Sequence, residues 1–269
     1  MTRTTPSAST DETRAELCYE RRGSGPPLVL LHGWGLHWQS WLPVLDLLAE
    51  DRDVIAVDLP GFGASPPLAD GDRYTRTRLC EVLEAFFGRL GLEQPDVAGN
   101  SLGGLLSLDL ACRGSVRTAT GLCTPGFYGP IQVLRPLLLA PAGAIARTPF
   151  LGARLTRRAA GLARRMAVAR PYLLADEAWL AAVSAATQSH GAMRFFLHHG
   201  RSLPLFRGEP HVPVTLAWGT HDRITPSATA LRARKMLPGA RQVPLPGCGH
   251  LPMYDDPELV AQTLLEASG

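Results

Sequence analysis

The stretch Gly99-Asn100-Ser101-Leu102-Gly103-Gly104 decides how this sequence folds and what it can do. It follows a short strand candidate, Asp96 to Ala98, and precedes the helical pattern LLSLDLACR. A G-x-S-x-G pattern between a strand and a helix is typical of a nucleophile elbow, in which glycines let the chain bend sharply. Ser101 is therefore the predicted nucleophile, at the amino end of a helix whose positive end favours a developing oxyanion.

A serine hydroxyl is a weak nucleophile at neutral pH, so it needs a histidine as base and an acid to orient the imidazole. Asp222 follows the apolar run Val214 to Gly219, just beyond the carboxyl end of a predicted strand. His250 lies in the sequence PGCGH, after another short strand. Open α/β sheets place functional groups at such positions, so Ser101, Asp222 and His250 are the predicted catalytic triad.

Two further features concern the oxyanion and the other histidines. The sequence His32-Gly33-Trp34-Gly35 follows the strand-like run LVLL, and the backbone N–H groups of Trp34 and Leu102 are the predicted oxyanion donors. His221 adjoins the predicted acid and is expected to point elsewhere, which makes it a weaker candidate for the base. The remaining histidines lack metal-ligand spacing, so we predict no metal and no other cofactor.

Short β-like runs alternate with helical patterns over most of the chain, which is typical of a mainly parallel sheet with helices on both faces. The predicted strands are residues 28–31, 54–57, 96–98, 119–123, 214–218 and 242–245. The clearest helix is Thr75 to Leu90, with Gly91 as its C-terminal cap. The alternation stops near Gly126 and resumes near Val212. We therefore predict a flexible segment 1–14, a core part 15–126, a helical lid insertion 127–210 and a second core part 211–269.

Five ordered motifs together resemble the α/β-hydrolase superfamily. They are HGWG at 32–35, DLPGFG at 58–63, GNSLGG at 99–104, WGTHD at 218–222 and GH at 249–250. The resemblance implies a mainly parallel eight-stranded sheet with a helical lid inserted after the sixth strand, which is where the insertion of this chain falls. It also implies the triad and the two oxyanion donors given above. Among subfamilies, the motifs are similar to carboxylesterases such as the pimeloyl-carrier-protein methyl ester esterases.

The expected activity is hydrolysis of a carboxylic ester or thioester through an acyl-enzyme on Ser101. The elbow is also similar to that of hydrolases that cleave carbon–carbon bonds, but those usually carry Trp after the catalytic histidine, where this chain has Leu251. Carbon–carbon cleavage, acyl transfer or cyclisation of a biosynthetic intermediate by the same triad stays open. So does a non-catalytic ligand-binding protein on the same fold, because fold does not fix function.

Composition sets limits on partners and location. The 269 residues are 45% hydrophobic with a net charge of +3, and no stretch approaches the ~20 consecutive apolar residues of a membrane span. A cytoplasmic protein without stable membrane insertion is expected. Residues 127–210 hold eleven arginines against three acidic residues. Arg154, Arg158 and Arg165 are therefore candidates for binding an anionic or carrier-protein-bound substrate, whereas no nucleic-acid recognition motif accompanies them.

Overall fold

In the computed structural model, which describes residues 16–69, 72–128, 161–173, 194 and 205–269, seven strands form one sheet. The spatial order is β1-β3-β2-β4-β5-β6-β7, and every neighbouring pair is parallel except β1 with β3. The strands are β1 Tyr19–Arg22, β2 Pro27–Leu31, β3 Asp53–Val57, β4 Asp96–Asn100, β5 Ala119–Leu122, β6 Val214–Gly219 and β7 Arg241–Leu245.

Helices connect the strands and cover both faces of the sheet. They are α1 Leu42–Ala49, α2 Arg76–Arg89, α3 Leu102–Arg113, α4 Ser227–Met236, α5 Pro252–Asp255 and α6 Pro257–Ala267. Two 3₁₀ turns span Trp38–Trp41 and Pro171–Leu173. Residues 161–167 are helical and lead into the second of these turns. We call residues 161–173 the insertion segment.

The six predicted strands and the α/β architecture are confirmed, and one further strand was missed. β1 pairs antiparallel with β3 at the edge of the sheet, and its half-exposed sequence YERR has no apolar run that would reveal it. The seven strands of the described residues are one fewer than the family resemblance implies. The segment 1–14, predicted to be flexible, and most of the predicted insertion 127–210 lie outside the described residues.

The strands alternate their side chains between two apolar cores. In β2, Val29 and Leu31 belong to a core that also contains residues of α2 and α3. Leu28 and Leu30 point to the other face, where α1 and α6 pack. Because both faces are covered, the central strands read as continuous apolar runs rather than alternating ones.

Helix α2 has a capping residue at each end and one buried apolar face, which is why its sequence pattern was clear. The Thr75 hydroxyl accepts a hydrogen bond from the N–H of Arg78 at 3.1 Å, which caps the first turn. At the other end, Gly91 has a φ of +67°, a conformation that favours glycine after a helix. The helix buries one face against the sheet, with Leu83 and Phe86 among its buried residues.

Candidate active site

Ser101 occupies a strained turn between β4 and α3. Its φ of +52° and ψ of −114° are unusual for a residue other than glycine. Such a conformation costs on the order of 1–3 kcal/mol and persists only where the surrounding structure enforces it. Here the Ser101 N–H donates to the carbonyl of Leu122 at 2.9 Å, and its own carbonyl accepts from the N–H of Leu105 at 3.0 Å. Both backbone groups of Ser101 are therefore hydrogen-bonded, and the residue itself is half-buried.

Two glycines make this turn possible by close approach. A Cβ added at Gly103 would lie 2.0 Å from the carbonyl oxygen of Leu31, and one added at Gly99 would lie 2.1 Å from the carbonyl carbon of Gly103. No side chain fits at those distances. The first turn of α3 consequently packs directly on the ends of β2 and β4, as the G-x-S-x-G spacing predicts.

Asp222 and His250 form a buried hydrogen-bonded pair. The Nδ1 atom of His250 lies 2.9 Å from Oδ2 of Asp222, and the two residues are 5% and 6% exposed. Burial alone would raise the pKa of Asp222. The charge of His250 and the hydrogen bonds from His250 and Thr225 outweigh it, and the net shift of the pKa is downward. The carboxylate is thus held in its ionised form beside the imidazole.

Thr225 is a site residue that the sequence analysis missed. Its hydroxyl donates to Oδ2 of Asp222 at 2.5 Å, and its N–H donates to Oδ1 at 2.8 Å. The N–H of Ile224 donates to the same Oδ1 at 2.8 Å. The three donors fix the carboxylate in the orientation that faces His250. The signal in the sequence is a threonine three residues after an aspartate that follows a strand. In turns, the side chains of aspartate and threonine commonly form hydrogen bonds with nearby backbone groups.

Asn100 is the last residue of β4. It links the turn at Ser101, which we call the serine turn, to residues 246–251 between β7 and α5, which we call the histidine loop. Its amide Nδ2 donates to the carbonyl of His250 at 2.8 Å. The neighbouring Ser101 therefore lies on the turn that adjoins His250. Among the hydrogen bonds of the described residues there is none between the Ser101 hydroxyl and the His250 ring, whereas Nδ1 of that ring is engaged by Asp222.

The loop after β2 passes directly beside the serine. A Cβ added at Gly33 would lie 3.3 Å from Cβ of Ser101. His32 shapes this loop, because its Nδ1 lies 2.8 Å from the carbonyl of Gly33 and its Nε2 accepts the N–H of Leu59 at 3.0 Å. Complete burial lowers the pKa of His32 to about 3, so the ring is neutral. Trp34 follows in this loop and is 49% exposed.

Leu102 directly follows Ser101 and is the first residue of α3. Its N–H has no acceptor within the helix, because the first four N–H groups of any helix lack intrahelical partners. The predicted donors Trp34 and Leu102 therefore belong to two different elements, and their role as oxyanion donors stays a prediction.

His221 points away from the Asp222–His250 pair. Its side chain is exposed, and its Nδ1 lies 3.1 Å from the hydroxyl of the adjacent Thr220 rather than at the acid. This arrangement agrees with the expectation that His221 is the weaker candidate for the base.

A thiol lies next to the buried pair. Cys123, Asp222 and His250 offer potential metal-ligand atoms within 4.8 Å of one another. The Asp222–His250 contact of 2.9 Å is shorter than the about 3.3 Å that separates two ligands on a tetrahedral Zn²⁺. Burial raises the pKa of Cys123 well above its usual value, and its sulfur accepts the N–H of Gly219 at 3.4 Å. The geometry therefore fits a directly hydrogen-bonded acid–base pair with a protonated thiol behind it.

Only one of the three candidate substrate-binding arginines lies in the described residues. Arg165 lies in the helical part of the insertion segment with an exposed side chain, and its carbonyl accepts a hydrogen bond from the guanidinium of Arg223 at 2.5 Å. Arg154 and Arg158 fall outside the described residues, so their role stays a prediction.

Comparison with known proteins assigns the fold to a family. The sequence profile described as the alpha/beta hydrolase family matches residues 28–263, which is most of the chain. The chain belongs to the alpha/beta hydrolase family. It is an enzyme of that family by this match, and the turn at Ser101, the loop that carries His250 and the predicted insertion all lie within the matched residues.

Named relatives and solved structures agree with this placement. A pimeloyl-[acyl-carrier protein] methyl ester esterase from Nitrosomonas europaea is 31% identical over 256 residues, which cover 91% of this chain and 96% of that protein. The protein of the same name from Aeromonas hydrophila is 46% identical over 92 residues, 34% of each chain. The crystal structure of the esterase RhEst1 from Rhodococcus sp. ECU1013 superposes with a TM-score of 0.76 at 26% identity, covering 94% of this chain and 95% of that one.

One finding concerns membranes. Among the described residues, no helix has the length and apolar character needed to cross a bilayer.

Proposed function

We propose that this alpha/beta hydrolase cleaves a carboxylic ester or thioester through an acyl-enzyme on Ser101. The observation that carries the proposal is the buried 2.9 Å contact between Asp222 and His250, on loops that adjoin the strained serine turn. An acid, an imidazole and a serine in this relation are the groups that nucleophilic acyl transfer needs. The hydroxyl-to-imidazole bond is often long before substrate binds and tightens only in the complex.

The reaction runs in two halves. Ser101 Oγ attacks the carbonyl carbon while Nε2 of His250 accepts the hydroxyl proton, and the carbonyl oxygen becomes an oxyanion between the N–H groups of Trp34 and Leu102. The bond to the leaving alcohol or thiol breaks as His250 returns the proton to it. Water then attacks the acyl-enzyme, gives its proton to His250 and releases the acid, after which Ser101 recovers its proton. Asp222 stabilises the imidazolium in both halves.

The substrate class rests on the relatives. The Nitrosomonas relative is named for a methyl ester of an acyl group held on a carrier protein, and it is alignable over nearly the whole chain. We infer that a small or medium acyl ester, anionic or attached to a carrier, is the substrate of this chain. Arg154, Arg158 and Arg165 are the proposed contacts for its negative charge.

Replacement of the nucleophile tests the proposal. Ser101→Ala is expected to lower the rate of p-nitrophenyl butyrate hydrolysis by at least about 10³-fold, because it removes the hydroxyl that forms the acyl-enzyme. Ser107→Ala is the matched control, since this serine lies in the same α3 helix and its hydroxyl donates to the carbonyl of Gly103 at 2.9 Å. Rates would be measured for folded protein of equal Tm.

The outcome also separates the rival activities. If Ser101→Ala kept the wild-type rate, a serine mechanism would be wrong. If wild type hydrolysed no ester but was labelled by a fluorophosphonate, acyl transfer or carbon–carbon cleavage would be favoured, and products formed with added acceptor alcohols would distinguish these. A wild type that neither hydrolyses esters nor is labelled would support the ligand-binding alternative.

A further inference from the structure

The insertion segment lies directly on the loop that carries His250. The N–H of Leu251 donates to the carbonyl of Ala167 at 2.9 Å. On the other side of the histidine, a Cβ added at Gly249 would lie 2.8 Å from the nitrogen of Ala169 and 3.0 Å from the carbonyl oxygen of Ala167. The two backbones are therefore in contact both before and after His250, with no space for a side chain between them.

The carboxylate of Asp255 joins the two segments. One oxygen accepts the N–H of Gly249 at 2.7 Å and the N–H of Ala169 at 2.9 Å, and the other accepts the N–H of Arg170 at 2.6 Å. The Asp255 residue is 1% exposed, and its carbonyl also accepts the Arg170 guanidinium at 3.2 Å. One buried carboxylate thus receives N–H groups from both the histidine loop and the insertion segment.

These bonds are of the strong kind. Hydrogen bonds to an ionised acceptor are roughly twice as strong as neutral ones, and a buried N–H that loses its acceptor bears the full cost of its desolvation. Neither segment contains another acceptor for these three N–H groups among the described hydrogen bonds. The position of Gly249 relative to Ala169 and Arg170 consequently depends on Asp255.

The histidine loop is held at three successive backbone groups. Gly249 N–H is bonded to Asp255, the carbonyl of His250 is bonded to Asn100 at 2.8 Å, and Leu251 N–H is bonded to the insertion segment. We propose that Asp255 is a positioning residue that uses the insertion segment to hold the base His250 in register with the serine turn. This inference rests on the proposed function, since it assigns Asp255 a role in the same reaction.

The loop that carries Asp222 also contacts the insertion segment. Arg223, next to Asp222, donates from its guanidinium to the carbonyl of Arg165 at 2.5 Å. The insertion segment therefore contacts both loops that carry the acid and the base. A shift of this segment would move His250 relative to Ser101, and a misplacement of about 1 Å can cost about 100-fold in rate.

The test compares two neighbouring aspartates. Asp255→Asn keeps the shape but places an amide N–H₂ against backbone N–H groups, and we expect kcat for p-nitrophenyl butyrate to fall about 10- to 100-fold with KM changed less than about twofold. Asp256→Asn is the control. Asp256 caps α6 by accepting the N–H of Leu259 at 3.1 Å, and asparagine caps a helix equally well. The control is expected to keep wild-type kcat and KM.

A second pair of variants does not depend on the carboxylate. Gly249→Ala would push the insertion segment off the histidine loop and is expected to lower kcat in the same way. Gly239→Ala is the matched control, because a Cβ there meets no atom within 4 Å. Rates are normalised to the number of serines titrated by a fluorophosphonate.

Three outcomes decide the matter. The proposal is overturned if Asp255→Asn lowers only Tm while kcat per titrated serine equals that of Asp256→Asn. If Asp255→Asn does not fold, an unchanged kcat in folded Gly249→Ala overturns it as well. A wild type without esterase activity or labelling contradicts the proposed function instead, which is a separate result.

Discussion

Two buried aspartates lie at opposite edges of the sheet, one where the parallel strands begin and one where they end. Together they show that the partner of a carboxylate determines what the carboxylate can do. Asp96 begins β4 at the amino edge, and it accepts hydrogen bonds from Arg52 at 2.9 Å and from Thr118 at 2.7 Å. Asp222 follows β6 at the carboxyl edge and is bonded to His250 at 2.9 Å. The two residues are 1% and 6% exposed, so burial does not distinguish them.

The two pairs differ in whether the partner of the aspartate can exchange a proton. A guanidinium keeps its proton at any physiological pH, so the ion pair at the amino edge can only hold elements together. An imidazole has a second ring nitrogen that can accept a proton while the first stays bonded to the carboxylate, so the pair at the carboxyl edge can transfer one. At the amino edge, Arg117 also donates to the carbonyl of Ser268 at 2.6 Å, which attaches the residue after α6 to this edge of the sheet. Equally buried carboxylates thus support stability at one edge and, in the proposed mechanism, catalysis at the other.

The largest expected effect comes from Asp222→Asn. The amide would favour the wrong tautomer of His250, and we expect kcat for p-nitrophenyl butyrate to fall by about 10⁴-fold while the fold is kept. Steady-state kinetics measure the change, and Asp46→Asn, at a surface carboxylate that pairs with Arg22, serves as the control. A loss of less than tenfold would mean that Asp222 does not orient the base.

Asp96→Asn is expected to act on stability instead. Removal of one partner from this buried pair should lower the free energy of unfolding in urea by about 3 kcal/mol and leave kcat unchanged. Arg117 also forms an ion pair with the Asp96 carboxylate, but its side chain is 48% exposed. Arg117→Ala is therefore the milder control, at less than about 1 kcal/mol. A fall in kcat comparable to that of Asp222→Asn would erase the distinction between the two edges.

The smallest of these effects is expected from Thr225→Val. Valine keeps the shape of the side chain but removes the hydroxyl that donates to Asp222. The loss of this hydrogen bond costs about 1.5 kcal/mol, which corresponds to a roughly tenfold lower kcat. Thr229→Val is the control, since its buried hydroxyl has no hydrogen-bond partner in the described residues. Unchanged kinetics in Thr225→Val would show that the two backbone donors suffice to hold the carboxylate.

The prediction of the fold from the sequence succeeded where the local pattern and the packing coincide. β2 and β3 are buried on both faces, so their apolar runs are unmistakable. α2 carries both a regular apolar face and caps at each end. β1 was missed because an edge strand with exposed charges has no such pattern, and its place next to β3 depends on long-range pairing.

The candidate site was predictable only in part. Ser101, Asp222 and His250 lie in glycine-rich sequences at strand ends, so their motifs are visible without coordinates. Thr225 bonds the side chain of Asp222 and Asp255 bonds backbone N–H groups, and one carboxylate among many carries no sign of which N–H groups will reach it. The contact between Asp255 and Ala169 spans 86 residues, a separation that no local pattern encodes.

Covalent labelling tests the central claim most directly. Fluorophosphonate treatment followed by intact-mass and peptide analysis is expected to add one adduct to the wild type, on the peptide that contains Ser101. Asp222→Asn should react far more slowly, whereas Asp96→Asn, while folded, should react at the wild-type rate. An adduct on another residue, or equal labelling of Ser101→Ala, would contradict the assignment of Ser101 as the nucleophile.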